Sequence, residues 1–245
     1  MKSEYVIILG ANSDMAKAIA DDFAQKGYNL ILASRDTENL EREAADLNIR
    51  YNVNVKSVYF DASDFNSHSA FRESLDVEIV GVVLAFGVMF PQDKSEKNLV
   101  MARNMINTNY LGAVNILETF APYFEEKEKG FIVGISSVAG ERGRQSNYLY
   151  GSSKAAFTTY LQGLRHRMSK HNVLVITVKP GFVKTKMTAH LELPGLLTAE
   201  PAEVSKAVLS AIRKKKHIVY VKSSWRYIML VIKSIPSFIF HKTDL

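Results

Sequence analysis

Tyr5-Val6-Ile7-Ile8-Leu9-Gly10-Ala11-Asn12-Ser13-Asp14-Met15-Ala16 is the stretch that decides the architecture of this 245-residue chain. Five consecutive apolar residues ending at a glycine read as a strand covered on both faces. From residue 14 to 26 the apolar residues Met15, Ile19 and Phe23 recur every four positions, which is a helical period, and Gly27 stops it. A strand, a tight turn and a helix in this order can bring helix N-terminal N–H groups against a pyrophosphate, provided the turn residues are small. Gly10 is the only glycine of the turn. Asp14 and Ala16 stand where further glycines would serve that use, so by itself the turn reads equally as a plain strand–helix connection.

The same unit repeats outward. Short apolar runs at 30–33, 55–60, 79–84, 131–135, 173–178 and 218–221 read as further strands. Helical stretches alternate with them, at 37–47 with Leu40, Ala44 and Leu47 on one face, at 100–124 and at 148–171. Continuous apolar strands separated by helices predict a mostly parallel sheet with helices on both faces, a doubly wound α/β fold. Ligands bind beyond the carboxyl ends of the strands in such a sheet. No linker composition or internal repeat divides the chain. It reads as one domain over 1–222, followed by a basic amphipathic tail over 223–245.

With 47% apolar and 23% charged residues, Gly 13 and Pro 6, the composition is globular and excludes disordered and collagen-like classes. Cys 0 excludes disulfides, thiolate metal sites and a cysteine nucleophile, and agrees with a reducing compartment. Met1-Lys2-Ser3-Glu4 and the five apolar residues after it are too little for a secretory leader. The histidines (His68, His166, His171, His190, His217, His241) show no paired ligand spacing, so no metal site is expected, and His166 and His171 read as surface residues.

Tyr150-Gly151-Ser152-Ser153-Lys154 opens the helix at 148–171. Residues four apart share a helix face, so a phenol and an ammonium can sit side by side. A nearby cation favours the phenolate and lowers the tyrosine pKa, which suits a general acid. Upstream, the fifth strand ends in Ile135-Ser136-Ser137, and a serine there can donate to a substrate oxygen. A solvated helix face is the plain alternative. Tyr148 reads either as a pocket residue or as helix packing.

This constellation resembles the short-chain dehydrogenase/reductase family over nearly the whole chain. Ser137, Tyr150 and Lys154 match that family's serine and Tyr-x-x-x-Lys pair, and Asn109 in Asn109-Tyr110-Leu111-Gly112 matches its fourth catalytic residue. Pro180-Gly181-Phe182-Val183-Lys184-Thr185 matches the segment that holds the nicotinamide, with Thr185 at its carboxamide, and Asp61 matches the acid that meets adenine. Two segments depart from the pattern: Gly10 to Ala16 in the glycine-rich turn, and Leu84-Ala85-Phe86-Gly87 in place of Asn-Asn-Ala-Gly. Asp14 near a pyrophosphate would repel it unless its side chain turns away to cap the helix.

The resemblance implies a Rossmann-type fold and a dinucleotide held by Gly10, Asn12, Ser13, Asp14, Met15, Ser34, Arg35 and Asp61 on one side. Ala85, Gly87, Tyr150, Lys154, Pro180, Gly181, Val183 and Thr185 would hold it on the other. At the end of the second strand an acid selects NAD and an arginine accommodates the 2′-phosphate of NADP. Ser34-Arg35-Asp36 carries both, and Arg35 points to NADP, with NAD the alternative. The implied reaction is reduction of a ketone to a secondary alcohol. Tyr150 supplies the proton, Ser137 steadies the carbonyl oxygen, Lys154 lowers the Tyr150 pKa and grips the nicotinamide ribose, and Asn109 positions a water. The family's habit of pairing through the helices at 100–124 and 148–171 implies a homodimer or homotetramer.

Net charge is +6, and it is unevenly placed. Residues 213–245 carry eight Lys or Arg and one acid, a balance of +7, which leaves −1 for the rest. Within them Trp225 to Lys233 and Ser234 to Phe240 are mostly apolar, too short to span hydrocarbon and suited to lying in a membrane interface. The alternative is a tail packed over the substrate cleft or against a partner subunit. The charge sits among aliphatic and aromatic residues rather than on a polar stripe, which disfavours nucleic acid. Glu141-Arg142-Gly143-Arg144-Gln145-Ser146-Asn147 joins Ser137 to Tyr150 and borders the substrate. Arg142 or Arg144 could bind a phosphate there, against the plainer reading of an exposed basic loop.

The tail and this loop are similar to a narrower group, the reductases that complete epimerisation of decaprenylphosphoryl-ribose by reducing a 2-keto pentose on a polyprenyl phosphate. That similarity implies a lipid-linked keto-sugar substrate, cell-envelope polysaccharide biosynthesis and a flavin-dependent oxidase partner. It also implies a cytoplasmic protein in peripheral contact with the inner face of the membrane through residues 223–242. A soluble keto-sugar or a sphingoid or fatty ketone is the alternative substrate. A non-catalytic nucleotide-sensing, membrane-docking protein is the alternative class.

Overall fold

The computed structural model describes residues 4–189 and 191–243. The chain start examined for a leader (residues 1–3), His190 and the tail's acid Asp244 lie outside the described residues. Elements follow in the order β1 (Glu4–Leu9), α1 (Asp14–Gln25), β2 (Asn29–Ser34), α2 (Thr37–Tyr51), β3 (Val55–Tyr59), α3 (His68–Glu73), β4 (Glu78–Leu84), α4 (Gln92–Ser95) and α5 (Leu99–Ile106). Then come α6 (Ala113–Lys127), β5 (Gly130–Ile135), α7 (Tyr148–Met168), β6 (Val173–Pro180), β7 (Phe182–Val183), β8 (Thr198–Ala199), α8 (Pro201–Arg213), β9 (Ile218–Val221), α9 (Ser224–Ser234) and α10 (Ser237–Phe240).

Seven strands form one parallel sheet in the order β3-β2-β1-β4-β5-β6-β9, and β7 and β8 pair separately. Every strand read from the apolar runs is present. Successive side chains of a strand point to opposite faces, and β1 shows the result. Val6 and Ile8 join one core with α1 and α8, whereas Ile7 and Leu9 join a second core with α6 and α7. All four are fully buried, each worth about 1.5–3 kcal/mol in transfer free energy. The chain order reverses between β1 and β4, which opens a crevice at their carboxyl ends.

The single helix expected over 100–124 is interrupted. Between α5 and α6, residues Asn107–Gly112 form a wide π-type turn. Such a turn adds a residue to the helical ladder and re-aims the side chains on it. Ala62 presses against this turn, since a methyl group on Gly112 would meet the Ala62 carbonyl oxygen at 2.1 Å. α2 runs four residues past the apolar period, to Tyr51, and ends on Asn52 in the left-handed conformation at φ 53°.

The tail is docked by its inner face. Trp225, Met229 and Ile232 of α9 are buried against Val138, and the Trp225 indole N–H donates to the Leu197 carbonyl at 3.1 Å. No helix among the described residues is long and apolar enough to cross a membrane.

Candidate active site

The crevice floor is built by β1 and β4. Gly10 adopts φ +80°, and a Cβ there would lie 2.6 Å from Phe86, so only glycine fits this turn. Ser13 caps α1 by accepting the Ala16 N–H at 3.2 Å, and its hydroxyl donates to the Ala85 carbonyl at 3.2 Å. Asp14 does turn away, although not to cap the helix. Its carboxylate accepts the Lys186 backbone N–H at 2.7 Å, beyond β6. Met15 packs on the core behind the turn. The turn thus keeps one obligatory glycine, a bare-backboned approach to α1, and an acid already engaged elsewhere.

Asn12 bridges from the turn to the end of β2. Its amide donates to the Ser34 hydroxyl at 3.3 Å and to the Asp36 carbonyl at 2.9 Å, while its Oδ1 is buried without a partner. The sequence left Arg35 and Asp36 in competition; the structure separates them. The Asp36 carboxylate caps α2 through the Asn39 backbone N–H and side-chain amide. Those bonds hold it below the usual carboxylate range. Arg35 is exposed and lines the crevice with Gly10, Ser34, Asp61 and Phe86. Asp61 is fixed by the Ser63 N–H at 2.8 Å.

Across the crevice Asn109 sits in the π-type turn. Its Oδ1 accepts the Val88 N–H at 2.7 Å, and its amide donates to the Val88 carbonyl at 2.8 Å and to the Ser153 hydroxyl at 3.0 Å. Gly87 lies between Asn109 and Lys154, because a methyl group on it would be 3.2 Å from Asn109 Oδ1 and 3.3 Å from Lys154 Nζ. Ser137 accepts the Ala139 N–H at 3.1 Å, and its side chain acts to lower the pKa of the Tyr150 phenol. Asn109 and Lys154 thus meet around Gly87, with the Tyr150 ring 5.9 Å from Lys154 Nζ.

The expected lowering of Tyr150 by Lys154 is not what the electrostatics show. Burial pushes the Tyr150 phenol up to about 12, and the Ser137 side chain acts against that push. Lys154 Nζ donates to the Ile135 carbonyl at 3.0 Å and lies 5.9 Å from the centre of the Tyr150 ring. Burial brings the ammonium down to about 8. Both shifts have one cause: a low-dielectric pocket disfavours whichever form is charged.

Beyond β6, Pro180 ends the strand, and Val183 is buried with its carbonyl accepting the Thr188 hydroxyl at 2.6 Å. The Thr185 N–H donates to the Thr188 hydroxyl at 3.2 Å. Gly181 lies against the tail. A Cβ on it would fall 2.0 Å from the Trp225 ring, so its bare backbone receives the tail.

The loop after Ser137 is not the exposed basic loop of the plainer reading. Arg142 donates to the carbonyls of Ile232 at 2.6 Å, Lys233 at 3.1 Å and Ile235 at 2.6 Å, and stacks 3.9 Å over Phe240. It is committed to the tail and does not await a phosphate. Glu141 is buried between Lys179 at 2.7 Å and Lys233 at 3.0 Å and also accepts from the Tyr220 hydroxyl. Those partners hold its carboxyl below the usual range against the upward push of burial. Tyr148 is largely exposed and donates to Glu96 at 3.3 Å. Sequence reasoning missed Gln92 and Lys179, and named Trp225 only as part of the apolar tail.

These residues fit a dinucleotide. Gly10 and Gly87 keep open space that a side chain would fill, Asn12 Oδ1 awaits a donor, and Arg35 is a free exposed cation at the end of β2. No group of three or more metal-ligating side chains occurs among the described residues.

The chain matches the short chain dehydrogenase family over residues 4–194. An uncharacterized oxidoreductase of Mycobacterium tuberculosis is 30% identical over 240 residues, 97% of this chain and 96% of that protein. One from Streptomyces coelicolor is 31% identical over 242 residues, 97% of this chain and 94% of the relative. Among solved structures, a short-chain dehydrogenase from Sphingobium yanoikuyae in complex with NADPH has a TM-score of 0.81 at 22% identity, covering 96% of this chain and 97% of that one. One from Burkholderia cenocepacia in complex with NADP has a TM-score of 0.83 at 21% identity, covering 99% and 98%. These two structures speak for the fold; the family profile and the relatives speak for ancestry. The chain belongs to the short-chain dehydrogenase/reductase family of NAD(P)-dependent oxidoreductases.

Proposed function

We propose that this protein is an NADPH-dependent reductase that converts a ketone to a secondary alcohol on an amphiphilic substrate, such as a keto-sugar carried by a polyprenyl phosphate. The observation that carries the reading is Lys154 Nζ lying 5.9 Å from the centre of the Tyr150 ring and meeting Asn109 around Gly87. When bound, the reduced nicotinamide supplies a hydride. Ser137 donates to the carbonyl oxygen, where charge develops. Tyr150, fully protonated at neutral pH, delivers the proton to that oxygen. The Lys154 ammonium holds the nicotinamide ribose, and Asn109 keeps the Gly87–Val88 backbone in place. Arg35 receives the 2′-phosphate of NADP, since Asp36 is spent as a cap.

The tail supports the amphiphilic part. Its outer face leaves Tyr227, Leu230, Val231, Phe238 and Ile239 exposed among Arg226, Lys233 and Lys242. An apolar patch rimmed by cations suits an anionic lipid surface, each nearby Lys or Arg adding about 1 kcal/mol. On this reading the protein works in the cytoplasm against the membrane's inner face, as a homodimer or homotetramer. A flavin-dependent oxidase would act before it and supply the ketone. NADPH oxidation against a panel of soluble and lipid-linked ketones tests the proposal, and absence of turnover with every ketone despite tight NADPH binding would refute it.

A further inference from the structure

The turn that follows Ser137 is held between two helices. Ser137 opens a 3₁₀ turn over Val138–Glu141 and accepts the Ala139 N–H across it at 3.1 Å. On one side this turn presses on α7, the helix of Tyr150 and Lys154. A Cβ on Gly140 would fall 2.7 Å from the backbone of Lys154 and Ala155, and one on Gly151 would fall 2.8 Å from the Ala139 carbonyl oxygen. The Ser136 hydroxyl, one residue before Ser137, donates to the Lys154 carbonyl at 3.1 Å. Ser137 is therefore flanked, before and after, by residues fitted to the backbone of α7 at Lys154.

On another side the turn meets the tail. Val138 is buried with Trp225, Met229 and Ile232 of α9. Arg142, the residue after the turn, closes the contact. The last carbonyls of a helix lack donors within it, and Pro236 has no N–H to offer them. Arg142 supplies the donors, to the carbonyls of Ile232 at 2.6 Å, Lys233 at 3.1 Å and Ile235 at 2.6 Å, with its guanidinium 3.9 Å over the Phe240 ring. A cation in this place also meets the negative end of the helix dipole. Glu141 adds a second tie, between Lys179 of β6 at 2.7 Å and Lys233 of α9 at 3.0 Å. One chain of contacts thus runs from the tail, through Arg142 and Val138, to the backbone of Lys154.

We propose that Arg142 is a positioning residue of the reaction: by clamping the turn after Ser137 to the end of α9, it fixes where Ser137 stands relative to Tyr150 and Lys154. The tail is then part of the scaffold of the site. Reacting geometry tolerates little error, since a displacement of about 1 Å caused far from the chemistry can cost about 100-fold in rate. This rests on reading Ser137 and Tyr150 as the ketone site.

The test compares the full-length wild type with Arg142→Met, Arg142→Lys and Phe240→Leu. NADPH titration gives affinity and binding stoichiometry, amide hydrogen exchange follows residues 138–147, and steady-state kinetics with a ketone give kcat and KM. Arg142→Met loses about tenfold in kcat. Arg142→Lys loses severalfold, because a compact ammonium lacks the planar fork of donors. Phe240→Leu, which reaches the clamp from the tail, also loses severalfold. NADPH affinity and stoichiometry stay at the wild-type values, which separates displacement of Ser137 from loss of fold, and exchange in 138–147 is fastest in Arg142→Met. An unchanged kcat in Arg142→Met overturns the proposal, and so do losses in all three variants that merely follow lost NADPH stoichiometry. A wild type that turns over no ketone defeats the reductase reading instead. Exchange then judges the clamp alone, and wild-type exchange rates in Arg142→Met sink it.

Discussion

The Asp14 carboxylate accepts the Lys186 backbone N–H at 2.7 Å, across 172 positions of sequence. One bond ties the first turn of α1 to the segment beyond β6, the two walls between which a dinucleotide would lie. It gives the acid in the glycine-poor turn a structural task. Asp14→Asn keeps an acceptor and removes the charge, so it binds NADPH as tightly as the wild type or tighter. Asp14→Ala loses the bond and binds about fivefold more weakly than Asp14→Asn, an effect of roughly 1 kcal/mol. Fluorescence titration with NADPH separates the two.

Cofactor preference follows from the end of β2. With Asp36 capping α2, Arg35 is the cation that lines the crevice at the end of β2. The wild type therefore has a higher kcat/KM with NADPH than with NADH, and Arg35→Ala loses most of that difference. Asp36→Ala leaves the preference in place and costs about 1 kcal/mol of stability through the lost cap. Steady-state kinetics with both cofactors, and thermal melts of both variants, check this pair.

Lys154 makes stability depend on pH. Its folded pKa near 8 lies below the ordinary lysine value of 10.5, so between these pH values the unfolded chain binds more protons than the native one. Stability of the cofactor-free protein rises with pH across that window, and the full penalty, roughly 3 kcal/mol at most, is present below pH 8. Tyr150 acts in the opposite sense at higher pH. Its pKa is raised to about 12, so its contribution is lost as pH climbs from 10 towards 12. Urea denaturation shows Lys154→Met more stable than the wild type at pH 7, with the gap narrowing by pH 10.

The tail has two faces and two predicted phenotypes. Trp225 is buried over Gly181, and Trp225→Ala costs about 3 kcal/mol by leaving a cavity. Leu230 and Val231 face outward. Leu230→Ser with Val231→Ser leaves thermal stability within about 0.5 kcal/mol of the wild type and abolishes flotation with anionic vesicles. Flotation by that double variant equal to the wild type's would remove the membrane contact from the proposed function.

The strands were readable because each is a short apolar run ended by a glycine or a polar turn, as at Leu9-Gly10. Tyr150, Lys154 and Ser137 were readable because two lie one helical turn apart and the third ends a strand. What the sequence concealed depends on distant partners. Nothing local says that Asp14 meets Lys186, that Gly181 makes room for Trp225, or that Arg142 is spent on the carbonyls of Ile232 and Ile235. The π-type turn at Asn109 was hidden because apolar spacing continues smoothly through it. The Tyr150 pKa was misjudged from spacing alone, since four residues on a helix fix a shared face but not where a flexible ammonium goes. Lys154 reaches the Ile135 carbonyl, and burial then dominates the phenol.

The central claim is that Tyr150 is the proton donor of an NADPH-dependent ketone reduction. Its most direct test is the rate of NADPH oxidation by wild type and Tyr150→Phe with a ketone that the wild type turns over, alongside NADPH affinity for both. The account predicts that the variant binds NADPH within about twofold of the wild type and loses at least two orders of magnitude in kcat, the scale of a general acid's contribution. A variant that retains a tenth or more of the wild-type kcat would contradict it.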